Sequence, residues 1–336
     1  MSWIKWGIAQ CMPIIDDSSY HPRFPFTSGH LQTMFPVLAR PHPPVSFERE
    51  RIETPDGDFI DLDWSRVGSD RVAVISHGLE GNSRRKYVAG AALALNRAGW
   101  DTVNLNFRGC SGEPNRLPRL YHSGVTDDLH TVLTHTLERG GYAEAGLVGF
   151  SMGGNQTLKY LGENPDLVPD EVRRAVVFSV PCHLSGAAEV MGRPANRVYM
   201  AYFLRGLREK VREKAARFPE LDISLHGLDD IRTFEVYDDR YTAPLHGFDG
   251  AQDYYARSSS LQFLENVGVP TLLVNACDDP FLSASCYPER AARTNRNLLL
   301  ETPRHGGHVG FVAFGGDLYW SDRRLAAFFA ADQEMR

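Results

Sequence analysis
Gly149-Phe150-Ser151-Met152-Gly153 lies between an apolar run, Ala145-Gly146-Leu147-Val148, and the segment Gly154-Asn155-Gln156-Thr157-Leu158-Lys159-Tyr160-Leu161. The order is strand, tight turn, helix. A serine on such a turn is held in a strained backbone conformation with its hydroxyl exposed. Glycines two residues before and after it let strand and helix pack without Cβ clashes. In a chain with 30 glycines the five letters alone carry little weight. The flanking strand and helix make the pattern a nucleophile elbow. A serine so placed needs a base to take its proton, an acid to orient that base, and donors for a developing oxyanion.

Around the elbow the same rhythm repeats. Apolar, β-branched runs occur at Val72-Ala-Val-Ile-Ser76, Thr102-Val-Asn-Leu-Asn-Phe107, Arg174-Ala-Val-Val-Phe-Ser179, Thr271-Leu-Leu-Val-Asn275 and Leu298-Leu-Leu-Glu301. Helical segments near Tyr87 to Ala98 and Thr126 to Arg139 separate the early ones. Strands buried on both faces read as continuous apolar runs, so the pattern predicts an α/β fold: a mostly parallel sheet covered by helices on both faces. Ahead of it, Val45 to Ile52 and Phe59 to Trp64 alternate apolar with polar residues about the turn Thr54-Pro55-Asp56-Gly57-Asp58. That is an antiparallel hairpin at a sheet edge.

Two stretches break the rhythm. Residues 22–44 are rich in Pro, His and Phe without helical or strand period and read as an extended arm over the core, and residues 1–20 read equally as a loose leader. Between Ser185 and Leu264 the strands stop, and Val198 to Arg217 carries apolar residues at helical spacing with six basic residues on the other face. The expected organisation is an N-terminal arm (1–44), a core (45–184), a helical cap (185–264) and the rest of the core (265–336). A basic amphipathic helix can bind a membrane surface. Glu209 and Glu213 sit one turn from Arg205 and Arg217, however, which favours a solvated, self-paired face.

Candidates for the remaining chemistry each follow a strand. His77-Gly78-Leu79-Glu80-Gly81-Asn82 turns sharply at its glycines, so the Leu79 amide can join the amide of Met152, the residue after the serine, as an oxyanion donor. Asn275-Ala276-Cys277-Asp278-Asp279-Pro280-Phe281 offers an orienting carboxylate. Arg304-His305-Gly306-Gly307-His308-Val309-Gly310-Phe311 offers the histidine. A lone histidine among 12 is weak evidence; the order Ser, Asp, His is what gives it weight. His305 and His308 as a metal pair lack an H-E-x-x-H frame or a nearby carboxylate partner, and no nucleotide-binding glycine motif occurs, so neither metal nor cofactor is expected. Cys110 and Cys277 sit on no elbow and read as buried packing. Arg108 reads as a guanidinium anchored by Asp127 or Asp128.

Bulk properties agree. The charge of −6 from 36 basic and 42 acidic residues, with no long block of either sign, argues against nucleic acid as a partner. Five scattered cysteines, without a C-x-x-C pair, point to a reducing compartment. The first 13 residues are too broken by Lys5, Gln10 and Pro13 for a signal peptide, and no apolar run reaches 18 residues, so a cytoplasmic protein without integral membrane association is expected. Oligomeric state is not legible.

Taken together, the chain resembles the α/β-hydrolases and, more narrowly, the YheT-like branch of bacterial hydrolases, similar to abhydrolase-domain lipases and plant embryogenesis-associated proteins. The motifs that carry the resemblance run from Gly29-His30-Leu31-Gln32-Thr33 through His77 to Gly81, Asn106 to Gly112, Tyr121-His122-Ser123-Gly124 and the Ser151 elbow. They continue with Gly247-Phe248, Asp253-Tyr254-Tyr255, Asp278 to Phe281, and Gly307 to Phe311. The resemblance places Ser151, Asp279 and His308 at the triad positions and implies hydrolysis of carboxylic esters. Asp279 is preferred to Asp278 because superfamily members set the acid three residues after a small strand-ending residue, here Ala276, and because Pro280 fixes the turn. A small or medium acyl ester is the expected substrate. Thioester hydrolysis, phospholipid deacylation and acyl transfer use the same residues, and a noncatalytic binding module is the rival of another class. The membrane anchor of the eukaryotic relatives has no counterpart here, which points away from bilayer lipids.

Overall fold
The computed structural model describes residues 13–15 and 17–331. Its strands are β1 (Ile14–Ile15), β2 (Glu48–Glu53), β3 (Phe59–Ser65), β4 (Arg71–Ser76), β5 (Asp101–Asn106), β6 (Glu144–Phe150), β7 (Val172–Phe178), β8 (Thr271–Val274) and β9 (Leu298–Glu301). They form one nine-stranded sheet in the order β1-β9-β8-β7-β6-β4-β5-β3-β2. The β2–β3 hairpin and the β3–β5 pair are antiparallel, and the other pairs are parallel. The expected hairpin is therefore the sheet's edge, where Arg49 and Arg51 of β2 pair with Asp63 and Asp61 of β3.

Helix α1 is Gly29–Ala39, α2 Lys86–Arg97, α3 Thr126–Gly140 and α4 Met152–Glu163. Between β7 and β8 lie α5 (Leu184–Met191), α6 (Arg197–Arg217), α7 (Phe234–Tyr237), a π-helical turn (Asp238–Thr242), α8 (Ala243–His246) and α9 (Ala251–Ser258). Then come α10 (Glu289–Thr294) and α11 (Trp320–Ala330). The two-residue period of a strand sends neighbours to opposite faces, and β4 shows why both faces had to be apolar. Val72 and Val74 pack with Leu129 and Val132 of α3 and Tyr160 of α4. Ala73 and Ile75 pack with Val88 and Ala92 of α2 and with Leu325 and Phe329 of α11. Helices thus cover the sheet on both sides. Loops after the carboxyl ends of its parallel strands converge at one rim, where open α/β sheets place their ligands.

Three expectations need correction. The arm holds a helix, α1, which begins with Gly29 and contains Pro36, two residues that mask a helical pattern. Tertiary contacts hold it: Gln32 is fully buried, donates to Tyr20 Oη and the Phe26 carbonyl, and accepts from Val312 N. The reading of residues 1–20 as a loose leader also fails in part, because Ile14 and Ile15 pair with β9 and Ser18 Oγ donates to Glu301; residues 1–12 lie outside the described residues. The basic face of α6 is self-paired at Arg205–Glu209 and Arg217–Glu213, as expected. Lys210 and Lys214, however, turn inward, and Lys214 is 1% exposed and donates to Asn115 and the Leu117 carbonyl.

Candidate active site
β6 runs into Ser151 and α4 starts at the next residue. Ser151 has φ 53° and ψ −117°, a conformation that L-residues avoid. The turn survives because the residues two before and two after Ser151 lack side chains. A Cβ on Gly149 would lie 2.5 Å from the Gly153 carbonyl oxygen, and one on Gly153 would lie 2.5 Å from that of His77. Both glycines are therefore required by close approach, the second by contact between the helix start and the end of β4.

His308 reaches this serine from the loop after β9. Its Nε2 lies 2.9 Å from Ser151 Oγ, and its Nδ1 lies 2.9 Å from Asp279 Oδ2 and 3.1 Å from Oδ1. A carboxylate that accepts the Nδ1 proton leaves the Nε2 lone pair facing the hydroxyl. Asp279 itself is buried, accepts from Phe281 N at 2.9 Å, and is held by the turn in which its own amide donates to the Ala276 carbonyl. The Phe281 ring stacks on the imidazole at a centroid distance of 4.1 Å, covering one face of it.

The histidine loop is pinned at successive backbone amides. Gly307 N donates to Asp278 Oδ1, His308 N to Thr33 Oγ1, and Val309 N to Ser179 Oγ, each at 2.9 Å. Val309 has φ 57°, rare for a β-branched residue, and Ser179 has φ 54°. Glycine is required at 307 for two reasons: φ is 56°, and a Cβ there would lie 2.7 Å from Gln32 Cβ of α1. So α1, the misread arm, is the bed on which the histidine loop lies.

The turn after β4 approaches from the other side. A Cβ on Gly78 would lie 3.2 Å from Ser151 Cβ. His77, wholly buried, donates from Nδ1 to the Gly78 carbonyl and accepts at Nε2 from Phe107 N. Burial pushes its pKa down to about 3, so it stays neutral in that tautomer. Gly78 N donates to Tyr87 Oη and Glu80 N to Tyr121 Oη. Among the described residues the Leu79 and Met152 amides between and beyond them have no acceptor, and both residues line a cavity with Ser151 and His308.

The walls of that cavity come largely from the helical insertion: Leu184, Ala187 and Met191 of α5, Phe203 and Leu207 of α6, and Phe234 and Tyr237 of α7. Apolar walls suit an acyl chain. Asp238, in the π-helical turn, also lines it; burial raises its pKa to about 6 against hydrogen bonds from Thr242 and Tyr255. The Gly247-Phe248 and Asp253-Tyr254-Tyr255 motifs find their use here. His122 packs against His246, Phe248 and Tyr254, and Tyr254 Oη accepts from Ser123 N, which fixes the wall at residues 121–124.

The other candidates fall elsewhere. Asp278 faces the turn of the histidine loop, and His305 Nδ1 lies 3.3 Å from it, so each histidine of the pair has its own carboxylate. Arg108 is bidentate to Asp128 and also reaches Asp56 and Asp58, while Asp127 pairs with Arg119. Cys110 is buried, but Cys277 is exposed, because the turn that buries Asp279 points its neighbour two residues back outward. Thr33, Ser179 and Phe281 were not singled out in the sequence. Phe281 carried a signal in its place beside Asp279-Pro280, and Thr33 in the Gly29 to Thr33 motif.

Comparison with known proteins agrees with this architecture. Residues 73–313 match the family described as alpha/beta hydrolase fold. The chain is 36% identical to "Putative esterase YheT" of Escherichia coli (strain K12), covering 92% of each. It is 30% identical to phospholipase ABHD3 of Mus musculus over 89% of this chain and 74% of that protein. It is 31% identical to the embryogenesis-associated protein EMB8 of Picea glauca, over 86% and 67%. Among solved structures, esterase Pf2001 of Pyrococcus furiosus superposes with a TM-score of 0.56 at 16% identity, over 85% of this chain and 93% of that one, a likeness of fold. By its sheet, its elbow and these relatives, the chain belongs to the α/β-hydrolase family, in the branch that includes YheT.

Proposed function
We propose that this α/β-hydrolase is a serine esterase that cleaves carboxylic esters of small to medium acyl chains through an acyl-enzyme. One observation carries the reading: the unbroken chain of contacts Asp279–His308–Ser151, at 2.9 Å and 2.9 Å. Ser151 Oγ attacks the ester carbonyl while His308 Nε2 takes its proton, and Asp279 stabilises the imidazolium so formed. The carbonyl oxygen, now negative, is received by the Leu79 and Met152 amides. His308 then gives the proton to the departing alkoxide, and water repeats the sequence on the acyl-enzyme to release the acid and restore Ser151.

Residues 185–264 serve as the cap over the acyl pocket, and nothing in the steps as written calls on a metal or cofactor. A thiol ester, a phospholipid or an alcohol acceptor would engage the same atoms. No helix among the described residues is long and apolar enough to cross a membrane. The test is hydrolysis of p-nitrophenyl esters of graded chain length. The wild type should turn over acetate to octanoate, with a burst of nitrophenolate wherever deacylation is the slower step. Ser151→Ala should lose about 10⁶-fold in kcat. A Ser151→Ala protein with activity within tenfold of wild type would overturn the proposal.

A further inference from the structure
Glu80 sits one residue past the Leu79 amide with φ 53°, a strained conformation that something must hold. Its backbone nitrogen donates to Tyr121 Oη at 3.0 Å, and its carbonyl accepts from Arg85 Nη2 at 2.8 Å. Its carboxylate accepts from Tyr121 Oη and, at 2.5 Å, from Lys210 Nζ. Lys210 belongs to α6, in the helical insertion, 130 residues away in sequence, and its ammonium also lies 3.3 Å from Cys110 Sγ and 4.9 Å from the centre of the Tyr121 ring. The ion pair is largely shielded from water, with Lys210 14% and Glu80 11% exposed.

One turn before Lys210 the same helix carries Gly206, a residue that costs a helix interior about 1 kcal/mol relative to alanine. Its reason is on the same face. A Cβ there would press into the Glu80 carboxylate, with Glu80 Cδ 3.2 Å away. The helix thus gives up propensity to bring its backbone against this one side chain.

We infer that Lys210, Glu80, Tyr121 and Gly206 form a clamp through which α6 of the cap sets the position of the Leu79 amide, so that oxyanion stabilisation is complete when the cap is seated. The inference rests on the serine-esterase reading. The four are positioning residues, and Lys210 acts on the reaction through Glu80 and the turn. A misplacement of about 1 Å in such a group costs about 10²-fold in rate.

The experiment is steady-state kinetics on p-nitrophenyl butyrate with Lys210→Met, Glu80→Gln, their double variant and Gly206→Ala, beside Arg205→Ala as a control. Arg205 pairs with Glu209 on the exposed side of the same helix. Lys210→Met strands a buried carboxylate and can lose stability for that reason alone. The double variant removes both charges and keeps the test sound, with thermal unfolding followed alongside. The clamp predicts kcat lower by about 10²-fold in both single variants, with KM within about threefold, and a double variant no slower than either, since the pair acts as a unit. Gly206→Ala should also lower kcat although alanine favours the helix, and Arg205→Ala should match wild type. An active wild type whose double variant keeps kcat within about twofold, or changes KM alone, overturns the clamp and leaves the esterase standing. A wild type that neither hydrolyses esters nor reacts with a fluorophosphonate overturns both.

Discussion

Asp278 and Asp279 are chain neighbours whose side chains diverge, one onto the amide of Gly307 and the other onto the imidazole of His308. Asp279→Asn should therefore lose about 10⁴-fold in kcat, because an amide no longer holds the required tautomer. Asp278→Asn should cost mainly stability; comparison of kcat for the two variants decides it, and the reverse ranking would exchange their roles. Thr33→Val removes the acceptor for His308 N and should lower kcat roughly tenfold while the unfolding free energy falls by about 1 kcal/mol. An unchanged kcat would make that contact purely structural. Ser151, Asp279 and His308 could be read in the sequence because each follows a strand beside a glycine or proline that shapes its turn. The contacts of Thr33 and Ser179 could not, since they meet the histidine loop across 275 and 130 residues and neither hydroxyl names its partner in the sequence.

Elements were legible in proportion to how local their causes are. The buried strands declared themselves by continuous apolar runs, and the hairpin by alternation around a turn. α1 did not, because its helicity comes from Gln32 and from contact with the histidine loop rather than from its own residues. The inward lysines of α6 were hidden for the same reason: helical spacing shows a basic face but not the Glu80 carboxylate that waits for part of it. On the esterase proposal the insertion would also limit the acyl chain. Leu245 and His246 of α8 line both the apolar cavity and a second groove, together with His122. They are a wall shared by the two spaces. Leu245→Gly should shift the preferred p-nitrophenyl ester to a longer acyl chain, and an unaltered chain-length profile would place the limit elsewhere.

For the whole molecule, packing of polar groups sets how stability responds to pH. His77, His122 and His246 are all held below the usual 6.5, chiefly by burial. Each is neutral in the fold and takes a proton more readily when unfolded, so the stability it contributes is full above about pH 6.5 and is lost as pH falls below that. Asp238 acts the other way: with its pKa raised to about 6 by burial, its contribution is present at low pH and lost as pH rises through 6. Burial raises Asp128 and Asp322 likewise; the depressed histidines outweigh these carboxylates in the range where free imidazoles titrate, so the midpoint of thermal unfolding should fall between pH 7 and pH 5. A flat or rising midpoint would contradict the neutral buried histidines. Whether the strained serine at the end of β6 is the nucleophile is decided by treating the folded protein with a fluorophosphonate and locating the adduct by peptide mass spectrometry. One covalent adduct is expected, on Ser151, absent from Ser151→Ala and much slower to form in His308→Ala. A folded, ester-hydrolysing protein that stays unlabelled, or that carries the adduct on another residue, would contradict it.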